Sequence, residues 1–225
     1  MKTITRIAAW IIKISLPVFI LMTAIRLMFT PVFLQVEYRM PGFPADSYGF
    51  DMEDRLHFAR ISIDYLLSNR GIDYLGDLQF QDGSPLFNER ELGHMVDVKN
   101  LLQAMLLAWR VLAFILLVLG IWAMAGGWLE LYGRAVNQGG WGAVALVILV
   151  LAAVVINFDA LFTAFHRVFF TGDTWLFLYS DTLIRLFPMR FWQDAFIGMG
   201  IFTVLGGLLA VFLGKRVQKL APVRA

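Results

Sequence analysis

Two of the three histidines in this chain sit in stretches whose neighbours suit proton-transfer chemistry. His94 lies in Asn88-Glu89-Arg90-Glu91-Leu92-Gly93-His94-Met95-Val96-Asp97, and His166 lies in Phe165-His166-Arg167-Val168-Phe169-Phe170. An imidazole titrates near neutrality, at about pH 6.5, so it can take a proton in one step and return it in the next. His94 and Asp97 are three residues apart and share a helix face, so Asp97, or Glu91 before them, is expected to orient an imidazole. There is no cysteine, which excludes a thiol nucleophile, a disulfide, a thiolate metal site and lipidation of this chain on its own cysteine. His57, His94, His166 and Asp97 would be the ligands of a metal-dependent membrane hydrolase, yet no His-Glu-x-x-His or comparable spacing occurs. No cofactor and no metal is expected, and His57 reads as a structural or solvent-facing residue.

The elements that must position these groups are dictated by a bilayer. Of 225 residues 59% are hydrophobic, too many for an ordinary soluble domain. A crossing takes roughly 20 apolar residues in a helix. Four runs qualify, at 7–33, 101–122, 141–165 and 196–213, and they predict an all-α membrane protein forming a single membrane domain over 1–225. The net charge of +2 comes with no long Lys/Arg run, so nucleic acid is not an expected partner.

Basic residues place the ends. Lys2, Arg6 and Lys13 flank the first run and Lys215, Arg216, Lys219 and Arg224 follow the last, so both termini of this multi-pass cell-membrane protein are expected in the cytoplasm. The segments 37–100 and 166–194 then share the extracytoplasmic face, while 125–140, with Arg134 and several glycines, forms a link inside. Segment 37–100 predicts a loop domain: an amphipathic helix over 52–67 capped by Asp51, a short β-hairpin around Asp82-Gly83-Ser84, and a helix from Glu89 capped by Asn88. Segment 166–194, carrying Trp175, Phe177, Tyr179, Phe191 and Trp192, reads as an aromatic stretch lying in the membrane interface. Within it, Thr171-Gly172-Asp173 is a turn and 181–187 is a short helix stopped by Pro188.

The run from Leu86 to Lys99, followed by Phe165-His166-Arg167-Val168-Phe169-Phe170, Trp175, Asp181, Leu183-Ile184 and Leu186-Phe187-Pro188 in a four-span frame, resembles the lipoprotein intramolecular transacylase family, Lit. The resemblance implies an enzyme that moves the sn-2 acyl chain of a diacylated lipoprotein from glycerol oxygen to the α-amino group of the same N-terminal cysteine. The product is a lyso-form lipoprotein. By analogy His94 and His166 are the catalytic pair.

Such a transfer needs a neutral amine, a base to take its proton and a donor to the leaving oxygen. The amine and ester share one molecule, which removes about 7–11 kcal/mol of the barrier in favourable geometry. His166 is expected as base and His94 as its partner or the acid. Arg26, Arg110 and Trp175 are expected to contact lipid or substrate, with Asp159 a counter-ion and Asp181 a further supporting residue. Membrane lipid is the other expected partner. Two alternatives stay open: the metal-dependent hydrolase and a non-enzymatic membrane protein.

Overall fold

Asp51 accepts a hydrogen bond from the Asp54 N–H at 2.8 Å, and the Asp54 carboxylate accepts one from the Asp51 N–H at 3.2 Å. This reciprocal cap satisfies two donors that a helix start leaves orphaned. It launches one of eight helices in the structure, a computed structural model that describes residues 2–220: α1 (Lys2–Met28), α2 (Pro31–Glu37), α3 (Met52–Leu67), α4 (Asp73–Gly76), α5 (Glu89–Ala125), α6 (Leu129–Phe169), α7 (Thr182–Leu186) and α8 (Met189–Leu220). Four of them, α1, α5, α6 and α8, are long and apolar enough to cross a bilayer. Arg224 lies outside the described residues.

The capped starts of α3 and α5 fall where the sequence places them, and several other boundaries differ for local reasons. The first helix ends at Met28, because Pro31 opens a new helix, α2, whose cap is the Thr30 hydroxyl accepting from the Phe33 N–H. The expected glycine-rich link over 125–140 is instead a tight turn, Gly126-Gly127-Trp128, with α6 starting at Leu129. Gly127 holds φ +68°, a left-handed conformation open to glycine.

The expected hairpin is likewise a turn. Gln79 and Pro85 form a single isolated bridge, with the Phe80 N–H bonded to the Ser84 carbonyl and the Leu86 N–H to that of Leu78. Pro85 has no N–H to extend the ladder, and no strand forms among the described residues.

The third long helix is two helices end to end. Asn157 takes extended backbone angles (φ −162°, ψ 92°), and its side-chain oxygen accepts from the Ala160 N–H at 2.9 Å. The asparagine both interrupts the ladder and caps the helical segment after it. The segment carrying His166 therefore has its own N-terminus.

The chain folds into two compact units, one built from the stretch ending at Arg26, Leu106–Ala152 and the stretch from Ile197, the other from Leu27–Met105 and Ala153–Phe196. In the first unit the glycines expected to break a helix instead make its contacts. A Cβ added at Gly140 would lie 2.5 Å from the Gly207 carbonyl oxygen, and one at Gly133 would lie 2.7 Å from that of Gly214. Each pair member is seven residues from the next on its own helix, so α6 and α8 meet backbone to backbone along a seam. Between the glycines the Asn137 amide donates to the Val211 carbonyl at 3.0 Å. Gly140→Leu should lower stability by about 1–3 kcal/mol or more through overpacking. Thermal unfolding of the purified protein in detergent reads this, and an unchanged midpoint would contradict the seam.

The second unit packs α2 and α3 around Leu34, Tyr38, Leu56, Ala59, Ile63 and Phe191. Its irregular segments are tied down by long-range polar bonds. The Tyr38 hydroxyl donates to the Leu186 carbonyl at 2.7 Å, and the Thr182 hydroxyl donates to that of Leu86. Arg185 pairs with Asp46 at 3.0 Å, both side chains buried.

Candidate active site

The second unit brings His94 and His166 together. Their ring centroids are 6.0 Å apart with planes inclined by 22°, and each residue is only 8% exposed. Aromatic side chains close around the pair. Phe170 and Phe177 stand edge-on to His94 at 5.0 and 5.3 Å, while Phe162, Trp175 and Phe170 lie 4.1, 4.9 and 5.4 Å from His166. Three of these four rings, Phe170, Trp175 and Phe177, come from the aromatic run, so that run builds walls for the site.

The two imidazoles differ in their hydrogen bonding. His166 Nδ1 lies 2.8 Å from the Phe162 carbonyl oxygen, one turn earlier on the same helix. A carbonyl only accepts, so Nδ1 carries the proton and Nε2 keeps its lone pair. His94 is the reverse case: its Nδ1 is sealed from solvent with no hydrogen-bond partner. A buried N–H without an acceptor is rarer than a buried lone pair without a donor, which favours the proton on Nε2. One ring then offers an acceptor and the other a donor.

Burial keeps both rings neutral. It pushes His94 down to about 4, with the neighbouring His166 adding to the effect. His166 is also lowered by burial, against the opposing bond to the Phe162 carbonyl.

Glu91 holds the frame rather than an imidazole. It is 1% exposed, and its two oxygens accept from the Asn88 N–H at 2.8 Å and the Leu183 N–H at 2.7 Å. Asn88 completes the cap by accepting from the Glu91 N–H. One carboxylate thus satisfies a donor at the start of α5 and another at the start of α7, one turn before His94. Burial raises the Glu91 carboxyl above its ordinary range, and the two backbone N–H groups partly offset that. Asp181 reinforces the joint, accepting from Asn88, Arg90 and the Leu178 N–H.

Comparison with known proteins bears directly on a paired-histidine site in such a helical frame. The sequence model of the family described as lipoprotein intramolecular transacylase Lit matches residues 10–192. The chain belongs to this family. An uncharacterised protein of Aquifex aeolicus strain VF5 is 30% identical over 217 residues, covering 95% of this chain and 97% of that one. The crystal structure of the membrane integral transacylase Lit from Bacillus cereus superposes with a TM-score of 0.81 at 20% identity, over 98% of both chains. A variant of that protein with a histidine replaced by alanine superposes with a TM-score of 0.75 at 19% identity, over 97% of this chain and 96% of its own. This chain has the fold of that membrane integral Lit.

The remaining expected residues of this Lit-family chain are dispersed. Asp97 makes no hydrogen bond to His94, whose Nδ1 is unpartnered. Asp159 lines an open groove with Asn157, Thr163 and Arg167 on the segment after the helix break. Arg26 and Arg110 belong to the other unit. His57 is exposed on α3, and among the described residues no three His, Asp or Glu side chains gather as metal ligands would.

Sequence reasoning missed the Phe162 carbonyl, which fixes the His166 tautomer; its signal was the four-residue spacing inside a helical run. It also missed Glu91 as a tie between α5 and α7, since its second partner lies 92 residues away. Glu91→Ala leaves two N–H groups unpaired, at a cost of about 1–3 kcal/mol for each one that stays buried. The midpoint of thermal unfolding should fall accordingly, and a wild-type midpoint would remove Glu91 from this role.

Proposed function

We propose that this protein is an intramolecular acyltransferase of the extracytoplasmic membrane face, converting diacylated lipoprotein to the lyso form. The observation that carries the reading is the stacked pair of buried imidazoles, whose hydrogen bonding favours complementary tautomers. The family's name supplies the reaction class, and the chemistry of these two rings suits it.

In this mechanism the α-amine of the substrate's N-terminal cysteine attacks the sn-2 ester carbonyl while His166 Nε2 takes the amine proton. A C–N bond forms and the carbonyl oxygen gains negative charge, to which the His94 Nε2–H donates a hydrogen bond. The tetrahedral carbon then expels the glycerol oxygen, and protonated His166 returns its proton to that oxygen. The amide is formed, the ester is broken and both histidines end as they began. Two neutral rings suit the first step, because a base must arrive without a proton and an oxyanion donor works best in a water-poor site. Trp175 against His166 helps hold the base and gives the acyl chain an apolar wall, with Arg26 and Arg110 as further lipid contacts and Asp159 as a counter-ion.

Orientation is read from charge. Lys2, Arg6 and Lys13 near one end and Lys215, Arg216 and Lys219 near the other support cytoplasmic termini. With four crossings the histidine unit then faces outward, where mature lipoproteins are. Exposed Phe169, Leu176, Leu178 and Tyr179 support an aromatic segment seated in the interface.

The decisive experiment expresses the chain in a cell whose lipoproteins are diacylated and follows a lipopeptide by mass spectrometry. Migration of one acyl chain from glycerol oxygen to the cysteine nitrogen is expected. An unchanged acyl position in cells that carry the protein in their membrane overturns the proposal.

A further inference from the structure

Away from the histidines, the second unit holds an open cavity of about 350 Å³ lined in part by Asp46, Ser47, Tyr48, Arg55, Tyr179 and Arg185. Its electrostatics do not balance. Arg185 is matched: its Nε and Nη2 bond the Asp46 carboxylate, Nη2 reaches the Tyr48 carbonyl, and the guanidinium lies 3.6 Å from the Phe50 ring centroid. Asp46 is saturated as well, accepting from the Tyr48 and Phe50 N–H groups. Burial pushes its carboxyl up, but the hydrogen bonds from Arg185 and Phe50 outweigh that and hold it below the ordinary range.

Arg55 has no such match. It is 6% exposed, yet among the described residues its one hydrogen bond runs from Nη1 to the Pro44 carbonyl at 2.7 Å, and its Nε is sealed with no partner there. The rings of Tyr38 and Phe43 flank the guanidinium at 5.1 and 4.9 Å but carry no net charge to neutralise it, and the Asp46 carboxylate acts on it only through space. Two buried arginines stand against one carboxylate, which bonds only Arg185, leaving one net positive charge at the cavity. An arginine stays protonated in a protein, so that charge persists at any working pH. Burying it is costly unless an anion completes the set.

We propose that this cavity binds the phosphate of a membrane phospholipid headgroup, with Arg55 as the primary contact. A phosphodiester carries one negative charge, the amount the cavity lacks, whereas free phosphate at neutral pH is a mixture of mono- and dianion. Guanidinium and phosphate oxygens pair through short, charge-assisted bonds. The rim is of the right character for a lipid. Tyr179, Ile184 and Pro188 line the same cavity, and Leu178 and Tyr179 beside it are 64% and 84% exposed. A polar pocket with an apolar lip fits a headgroup and its glycerol rather than an ion from bulk water. The site is separate from the acyl-transfer reading, because a diacylglyceryl lipoprotein carries no phosphate, and it stands or falls without it.

The test uses the full chain in neutral detergent, with binding followed by native mass spectrometry and by the thermal midpoint. Phosphatidylglycerol should bind at least about tenfold more tightly than diacylglycerol, which has the same chains and no phosphate. Inorganic phosphate at the same concentration should bind far more weakly. Arg55→Gln should abolish the preference. Should that variant fail to fold, Ser47→Trp fills the cavity from its exposed rim with both arginines intact, and it too should lose the lipid. Equal binding of phosphatidylglycerol and diacylglycerol, or an unaltered preference in a folded variant, overturns the proposal. So does saturation by inorganic phosphate alone or by an acidic peptide in place of lipid.

Discussion

Exchanging His166 for alanine should slow conversion of a diacylated lipopeptide by about 100- to 10,000-fold, the range that a well-placed general base supplies. The loss corresponds to about 3–5 kcal/mol of barrier. His94→Ala should fall in the same range, because in the proposed mechanism His94 donates to the developing oxyanion. The double variant should be little worse than either single one, since the two rings serve one transition state. Rates of acyl migration measured by mass spectrometry check all three, with the amount of protein in the membrane as the control. Retained activity in either single variant takes that residue out of the mechanism.

The second large effect is in the dependence on pH. The substrate's α-amine titrates at about 8, so its reactive neutral fraction falls tenfold for each pH unit below that. Burial holds His94 near 4 and lowers His166 below its ordinary value, so neither ring adds a second loss as the pH drops through 6.5. The rate should therefore fall about tenfold between pH 7.5 and 6.5, with a slope of one over that interval. A steepening to a slope of two near pH 6.5 would mean that a histidine titrates as it does in water, and the buried neutral pair would be wrong.

Stability carries the same signature with a definite sign. Because folding lowers the His94 pKa, the unfolded chain takes up a proton first; the His94 contribution to stability is complete above pH 6.5 and is lost progressively toward pH 4.

Much of this architecture is legible in the residues alone. Apolar runs of sufficient length mark four helices, and Asp51 and Asn88 mark two helix starts because capping is local chemistry. The pairing of His94 with His166 is legible only through motif resemblance, since 72 residues and no periodic pattern link them. The features that stay hidden are non-local. Gly133 and Gly140 look like breakers to any propensity scale, and only a facing helix with its own glycines turns them into contacts. Asn157 reads as one polar residue in an apolar span until its side chain is seen to cap the next segment. Asp97 shows the opposite error: helical spacing placed it beside His94, yet spacing alone does not make a bond.

The glycine seam also constrains how this protein can be made more robust. Replacing an interior helical glycine by alanine ordinarily adds roughly 0.5–1 kcal/mol by stiffening the unfolded backbone. Here a methyl group at Gly133, Gly140, Gly207 or Gly214 would press on main-chain atoms that have nowhere to retreat. Engineers seeking a hardier variant should leave these four positions alone and work instead on lipid-facing side chains such as Val155 or Leu149, where no neighbour within the fold objects.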